Sequence, residues 1–198
     1  CYHRTREFAL TFLQRWGIET TLLPAADAAA LPGLLRPETR LIFCETPTNP
    51  YLRVVDLGRL VQVAQGCGAL TVVDSTFATP LNLRPLSLGV DLVIHSATKY
   101  LGGHNDLLAG VVAGSATLLA RLEKARGVMG GMSNPHDAYL LIRGLKTLDL
   151  RLRRQNENGL RVAHYLAGHP AVRRVHYPGL PGHPDHEAAC RQMAGFGG

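Results

Sequence analysis

Short, nearly continuous apolar runs recur along the chain at intervals of roughly 20 to 30 residues, the repeat expected of βαβ units. They are RLIFCE (40–45), ALTVVD (69–74) and DLVIHS (91–96). Runs without polar alternation predict strands covered on both faces, as in a parallel sheet sandwiched by helices. Between the first two, Leu57, Leu60, Val61 and Ala64 fall at helical spacing in a segment that stops on glycine. A fourth run, AGVVAG (109–114), and the following SATLLARLEKARG predict one more strand and one more helix. The pattern therefore predicts an α/β fold with a mainly parallel sheet flanked by helices.

Beyond GGMSNPHDA the pattern changes. Leu141, Leu145, Leu148, Leu152, Ala163 and Leu166 keep helical spacing for about seven turns, with Arg151, Arg154 and Arg161 on the polar face. This predicts one long helix bridging two domains. AVRRVHY (171–177) alternates like a strand, and PGLPGHP is a turn-rich loop. HPDHEAACRQM opens like a helix, with Pro184 and Asp185 in its first turn. The expected division is a large domain over residues 1–145, then a linking helix and the start of a smaller α+β domain over 146–198. The opening at Cys1 and the closing GFGG, which reads as the entrance to another strand, are expected of part of a longer polypeptide.

Composition narrows the picture. The chain is 46% hydrophobic and 18% charged, values of a globular protein with one good core. No apolar run approaches the ~20 residues that span a bilayer, so no membrane partner is expected. The formal charge is +6, but the Lys and Arg residues are dispersed without interleaved aromatics, so no nucleic-acid partner is expected either. Four scattered cysteines form no CxxC pair and fit reduced thiols, hence the cytoplasm. His183, His186 and Cys190 resemble metal-ligand spacing, yet no second ligand pair accompanies them, so the expectation is a plain helix and no metal.

In an open parallel sheet, ligands bind outside the carboxyl ends of the strands. The uncommon polar residues fall there three times. The first predicted strand ends in Glu45 and leads to Asn49, and the second ends in Asp74. The third ends in His95, Ser96, Thr98 and Lys99. An acid and a lysine on neighbouring strand ends, with hydroxyls beside the lysine, suit a Schiff base with pyridoxal 5'-phosphate. Desolvation of Lys99 would free its lone pair, and Asp74 would keep the ring nitrogen protonated. Ser96 and Thr98 would hold the phosphate. No GxGxxG or GxxxxGK[ST] motif points to a nucleotide instead. Cys44 and Cys67 read as core filling, and Glu45 either orients the Asn49 loop or simply ends its strand.

These residues sit in stretches that bring a family with them. ETPTNP, VDSTFATP, HSATKYLGGHNDLLAG, AYLLIRGLKTL and HYPGLPGHPDHEAACRQMAGFGG resemble, in order and over essentially the whole chain, the Cys/Met-metabolism group of fold-type I pyridoxal phosphate enzymes. CYHRTREF and GGHNDLLAG are most similar to the cystathionine γ-synthase branch. The resemblance implies that Lys99 carries the cofactor, that Asp74 meets its ring nitrogen, and that Ser96 and Thr98 bind its phosphate. It implies that Asn49 lies near the 3-hydroxyl and that Tyr2 stacks on the ring and assists proton transfer. It further implies γ-replacement on an activated homoserine by cysteine, with cystathionine lyase or O-acylhomoserine sulfhydrylase chemistry as the alternatives. Amino-acid substrates and assembly into homodimers or homotetramers follow from it as well. Arg4 stands where the methionine γ-lyase branch has cysteine, which counts against that activity. The family's glycine-rich phosphate segment, its upstream Tyr and Arg, and its downstream substrate-carboxylate arginine have no counterpart in residues 1–198, so this stretch alone is expected to bind cofactor poorly.

Overall fold

The computed structural model describes all 198 residues. Four strands form one sheet in the order β1 (Leu41–Glu45), β2 (Leu70–Asp74), β3 (Leu92–Ser96), β4 (Gly110–Gly114). The first three are parallel, and β4 returns antiparallel to β3. The helices are α1 (His3–Glu7), α2 (Leu31–Leu34), α3 (Leu57–Cys67), α4 (Thr79–Asn82), α5 (Ala116–Met129), α6 (Pro135–Leu145), α7 (Leu148–Ala167) and α8 (His186–Gln192). The mainly parallel α/β arrangement read from the sequence is the one observed.

Local chemistry sets the element ends. Asp56 caps α3 by accepting the Arg59 N–H at 3.1 Å, and Gly68 closes the helix at φ 68°. Ser115 and Asn134 cap α5 and α6 in the same way. The face of α3 carrying Leu57, Leu60, Val61 and Ala64 is buried against Ile42, Val73 and Val93 of the sheet. Leu57 is wholly inaccessible, and burying such a side chain contributes about 1.5–3 kcal/mol. From the C-terminal part, Ala189 and Met193 of the α8 region join this same core.

Two expectations change. The long bridging helix is two helices, broken at Lys146 and Thr147. Thr147 leaves helical geometry (φ −111°, ψ 5°), and just before it the Cα of Gly144 faces the carbonyl oxygens of Leu101 and Gly102 so closely that any Cβ would collide with both. Residues 171–177 are not a strand. Hydrophobic alternation there lets Val175 and Tyr177 pack on Ala163 and Leu180, but no neighbouring backbone completes a ladder. The closing GFGG segment pairs with no strand within residues 1–198. It lies along α7 through Gly197 N–H to Asn156 Oδ1 (3.0 Å), Tyr177 Oη–H to the Gly197 carbonyl (2.8 Å) and Tyr100 Oη–H to the Gly198 carbonyl (2.7 Å).

Candidate active site

The register aligns the strand ends. Glu45 pairs with Asp74, and Asp74 with Ile94. The ladder runs one residue further, with Thr46 N–H on the Asp74 carbonyl (3.0 Å) and Ser75 N–H on the Ile94 carbonyl (2.9 Å). Side chains alternate along a strand, so Glu45, Asp74 and Ser96 share one face. His95 takes the opposite face, with Val73 and Val93. It is buried there, outside the row of strand-end groups, with Nδ1 unpartnered. Burial lowers its tendency to take a proton, against the opposing pull of Asp74.

Two hydrogen-bonded clusters meet at this edge. On β1, the buried Glu45 accepts the Asn49 N–H on Oε1 (2.9 Å) and the Tyr2 N–H on Oε2 (2.5 Å). One carboxylate thereby holds two candidate ring contacts, so Glu45 both ends its strand and orients the loop. Burial pushes its carboxyl above the ordinary value, and the Asn49 and Tyr2 amides offset part of that rise. The Asn49 loop is closed by Leu52 N–H on the Thr48 carbonyl (2.8 Å) and Arg53 N–H on Thr48 Oγ1 (3.0 Å). It is strapped to the C-terminal part by Arg53, whose Nε and Nη2 reach the two Asp185 oxygens at 2.6 and 2.9 Å. The Val54 N–H adds a third donor to Asp185 at 2.9 Å. Asp185 is therefore a docking carboxylate at the boundary of α8, rather than a residue of its first turn.

The second cluster spans β2 and β3. Asp74 Oδ1 accepts both the backbone N–H (3.0 Å) and the hydroxyl (2.5 Å) of Thr76, and the Ser96 N–H donates to Thr76 Oγ1 at 2.8 Å. The turn continues with Lys99 N–H on the Ser96 carbonyl (3.1 Å) and Gly103 N–H on the Lys99 carbonyl (2.7 Å). Thr98 Oγ1 accepts the Ala109 N–H at 3.1 Å, so this hydroxyl is already tied to the entry of β4. Asp74, Ser96 and Lys99 are thus brought together through Thr76 and the turn. Tyr2 and Asn49 come together through Glu45 on the adjoining strand end.

The lysine departs from expectation in one respect. Lys99 is exposed, so the chain's own packing does not supply the desolvation that the sequence reading required. It sits in the turn after β3. What is tightly held is the backbone behind it. Arg151 of α7 donates from Nη1 to the Tyr100 carbonyl (2.9 Å) and from Nη2 to the Gly144 (2.8 Å) and Leu101 (3.5 Å) carbonyls. Its Nε donates to Thr147 Oγ1 at 3.0 Å. Sequence reading placed Arg151 on a solvated polar face and overlooked Thr76 altogether. A hydroxyl two residues after a strand-end acid was the available signal for Thr76, since Asx-type turns bond in that pattern.

His186 and Cys190 lie on α8, with Sγ 3.5 Å from Nε2 and the other ring nitrogen 2.8 Å from the Pro178 carbonyl oxygen. Cys44 is half-buried against the core, and burial pushes its thiol up to about 12. That thiol is a core group without nucleophilic use.

An open α/β sheet with an acid, a hydroxyl and a lysine at adjacent strand ends defines a class: a cofactor-binding enzyme domain of the Schiff-base type. The sequence model of the Cys/Met metabolism PLP-dependent enzymes matches residues 1–198, and the chain belongs to that family. Among its relatives, a protein named cystathionine gamma-synthase 1, chloroplastic, of Arabidopsis thaliana is 50% identical over 199 residues, covering 100% of this chain and 35% of the relative. A cystathionine gamma-lyase of Bacillus subtilis is 44% identical, covering 100% of this chain and 52% of the relative. A crystal structure of cystathionine gamma-lyase from Lactobacillus plantarum complexed with L-serine superposes with a TM-score of 0.94 at 39% identity, over 98% of this chain and 51% of that one. The chain thus spans about a third to a half of the length of these relatives.

The residues present fit the family's cofactor. Asp74 Oδ1 takes two donors from the chain, whereas Oδ2 takes none and stays available to a protonated ring nitrogen. Lys99 enters no ion pair, and its amine is accessible.

Proposed function

We propose that this chain supplies the cofactor-holding part of a pyridoxal-phosphate enzyme of sulfur amino-acid metabolism, whose reaction joins an activated homoserine to cysteine to form cystathionine. The observation that carries the reading is the bonded series Asp74–Thr76–Ser96–Lys99 across two adjacent strand ends. Asp74 Oδ2 would receive the ring nitrogen, and the Ser96 hydroxyl, with Thr98, would receive the phosphate. Asn49 would approach the 3-hydroxyl, and Tyr2 would cover one ring face, a position in which it shields Lys99 from water.

Bound there, pyridoxal phosphate supplies an electron sink for charge developed at the substrate's Cα. Lys99 Nζ would hold the cofactor aldehyde, and its amine would be the base placed to take the substrate's Cα proton. The same amine would hold that proton between the α- and γ-positions during replacement of the γ-group. Tyr2 would be the second group to assist that proton transfer.

A lyase reading that splits cystathionine rests on the Bacillus subtilis and Lactobacillus plantarum relatives. Both readings use the residues above. We further propose self-association, supported by the exposed row Phe8, Phe12 and Trp16, in which Phe8 and Phe12 stack at 5.0 Å. A cytoplasmic or otherwise reducing location is supported by four free cysteines. No helix is long and apolar enough to cross a membrane.

The test uses the full polypeptide. Borohydride should fix cofactor covalently to the wild type and not to Lys99→Ala; fixation in the variant removes Lys99 from its role. Activity with O-acyl- or O-phosphohomoserine plus cysteine, exceeding that with cystathionine alone, supports the synthase; the reverse supports the lyase.

A further inference from the structure

Thr76 lies two residues beyond β2, half-buried, between Asp74 and Ser96. Its hydroxyl oxygen is 2.5 Å from Asp74 Oδ1 and 2.8 Å from the Ser96 amide nitrogen. An amide N–H can only donate, so the Ser96 bond occupies a lone pair of the hydroxyl. The hydroxyl proton is then directed at Asp74. Thr76's own N–H, 3.0 Å from the same Oδ1, adds a second donor to that oxygen. The direction of every bond in the triad follows from donor chemistry alone.

The consequence is an asymmetric carboxylate. Oδ1 is held by two donors and Oδ2 by none. The torsion that rotates a carboxylate is otherwise broad and roughly two-fold. We propose that Thr76 is a positioning residue that locks the Asp74 carboxylate so that Oδ2 alone meets the ring nitrogen of the cofactor, and that couples this contact to the Ser96 backbone at the phosphate end. The proposal rests on the roles of Asp74 and Ser96 given above. It assigns to one hydroxyl the alignment of the two ends of the ring.

The experiment titrates apo full polypeptide with pyridoxal phosphate and, separately, with its 1-deaza analogue, which lacks the ring nitrogen. The readout is the ratio of the two affinities, not turnover. The wild type should prefer pyridoxal phosphate. Thr76→Val should reduce that preference about tenfold, the scale of one hydrogen bond to a charged group. Thr76→Ser should restore it. In an Asp74→Ala background, Thr76→Val should leave the ratio unchanged. Thr76→Cys keeps the size with a weak donor, and gives the same readout should the valine variant fail to fold. Equal weakening of both ligands by Thr76→Val, or the same change in ratio with and without Asp74, overturns the proposal. A wild type that binds both ligands equally well instead removes the Asp74 assignment, and the Thr76 role with it.

Discussion

Replacing Asp185 with asparagine isolates the strap that holds the Asn49 loop. Wild-type Asp185 receives three donors, two from the Arg53 guanidinium and one from the Val54 amide. The side chains are 14% and 24% exposed for Asp185 and Arg53, so the pair is neither a solvated surface bridge nor fully desolvated. Hydrogen bonds to charged groups contribute about 1.5–3 kcal/mol each, and an asparagine oxygen still accepts one of the three; with partial solvent screening the expected loss is about 2 kcal/mol. Urea unfolding at neutral pH should show this as a lower midpoint with unchanged slope. The loss should depend on pH. Burial alone would push the Asp185 carboxyl up, but the Arg53 hydrogen bonds, the Val54 amide and the Arg53 and His183 charges bring it below its ordinary 3.8. The native state therefore binds the proton less readily than the unfolded chain. The stabilisation is fully present above pH 3.8 and is lost as pH falls through the folded-state value. Wild type and Asp185→Asn should converge in stability at acid pH. A gap that persists at low pH, or one below ~0.5 kcal/mol at pH 7 where exposed pairs lie, would refute the strap.

Two further outcomes follow from packing and burial. Gly144→Ala drives a Cβ into the Leu101 and Gly102 carbonyls, backbone that cannot step aside, and should destabilise by about 1–3 kcal/mol in urea; Gly127→Ala in α5, where nothing lies within 4 Å, should instead stabilise by about 0.5–1 kcal/mol. Equal effects at the two glycines would discard the backbone contact at Gly144. Glu45 has its carboxyl raised above 4.5, so its contribution to stability is full below that pH and falls as pH rises through the folded-state value. Glu45→Gln should abolish that part of the slope while leaving either the Tyr2 or the Asn49 N–H without its acceptor; parallel stability profiles for the two proteins would count against it.

Much of this was legible in the chain. The three buried strands announce themselves because both faces are covered and the apolar run is continuous. The buried positions of α3 were those at helical spacing, since one face meets the sheet. What stayed hidden depends on partners remote in sequence. Periodicity runs unbroken through Lys146 and Thr147, so side-chain spacing does not reveal the break, nor the close approach of Gly144 to residues 101–102. The alternation at 171–177 speaks to side-chain burial, whereas a strand also needs a neighbouring ladder. Asp74, Ser96 and Lys99 were recognisable as chemical types at strand ends. Thr76 and Arg151 were not, because their importance lies in bonds to other residues' backbone and carboxyl atoms. Lys99's exposure was misjudged because the sequence identifies a turn without revealing what lies over it.

Arg151 joins the start of α7, the end of α6 and the loop behind Lys99 through four donors and no acid. With no carboxylate in the joint, added salt has little to screen, and a lysine at this position would lack the planar fork that reaches several carbonyls at once. The backbone around Lys99 and the junction of the two helices are therefore held by one side chain. A tilt of either helix would be passed through that guanidinium to the backbone next to Lys99.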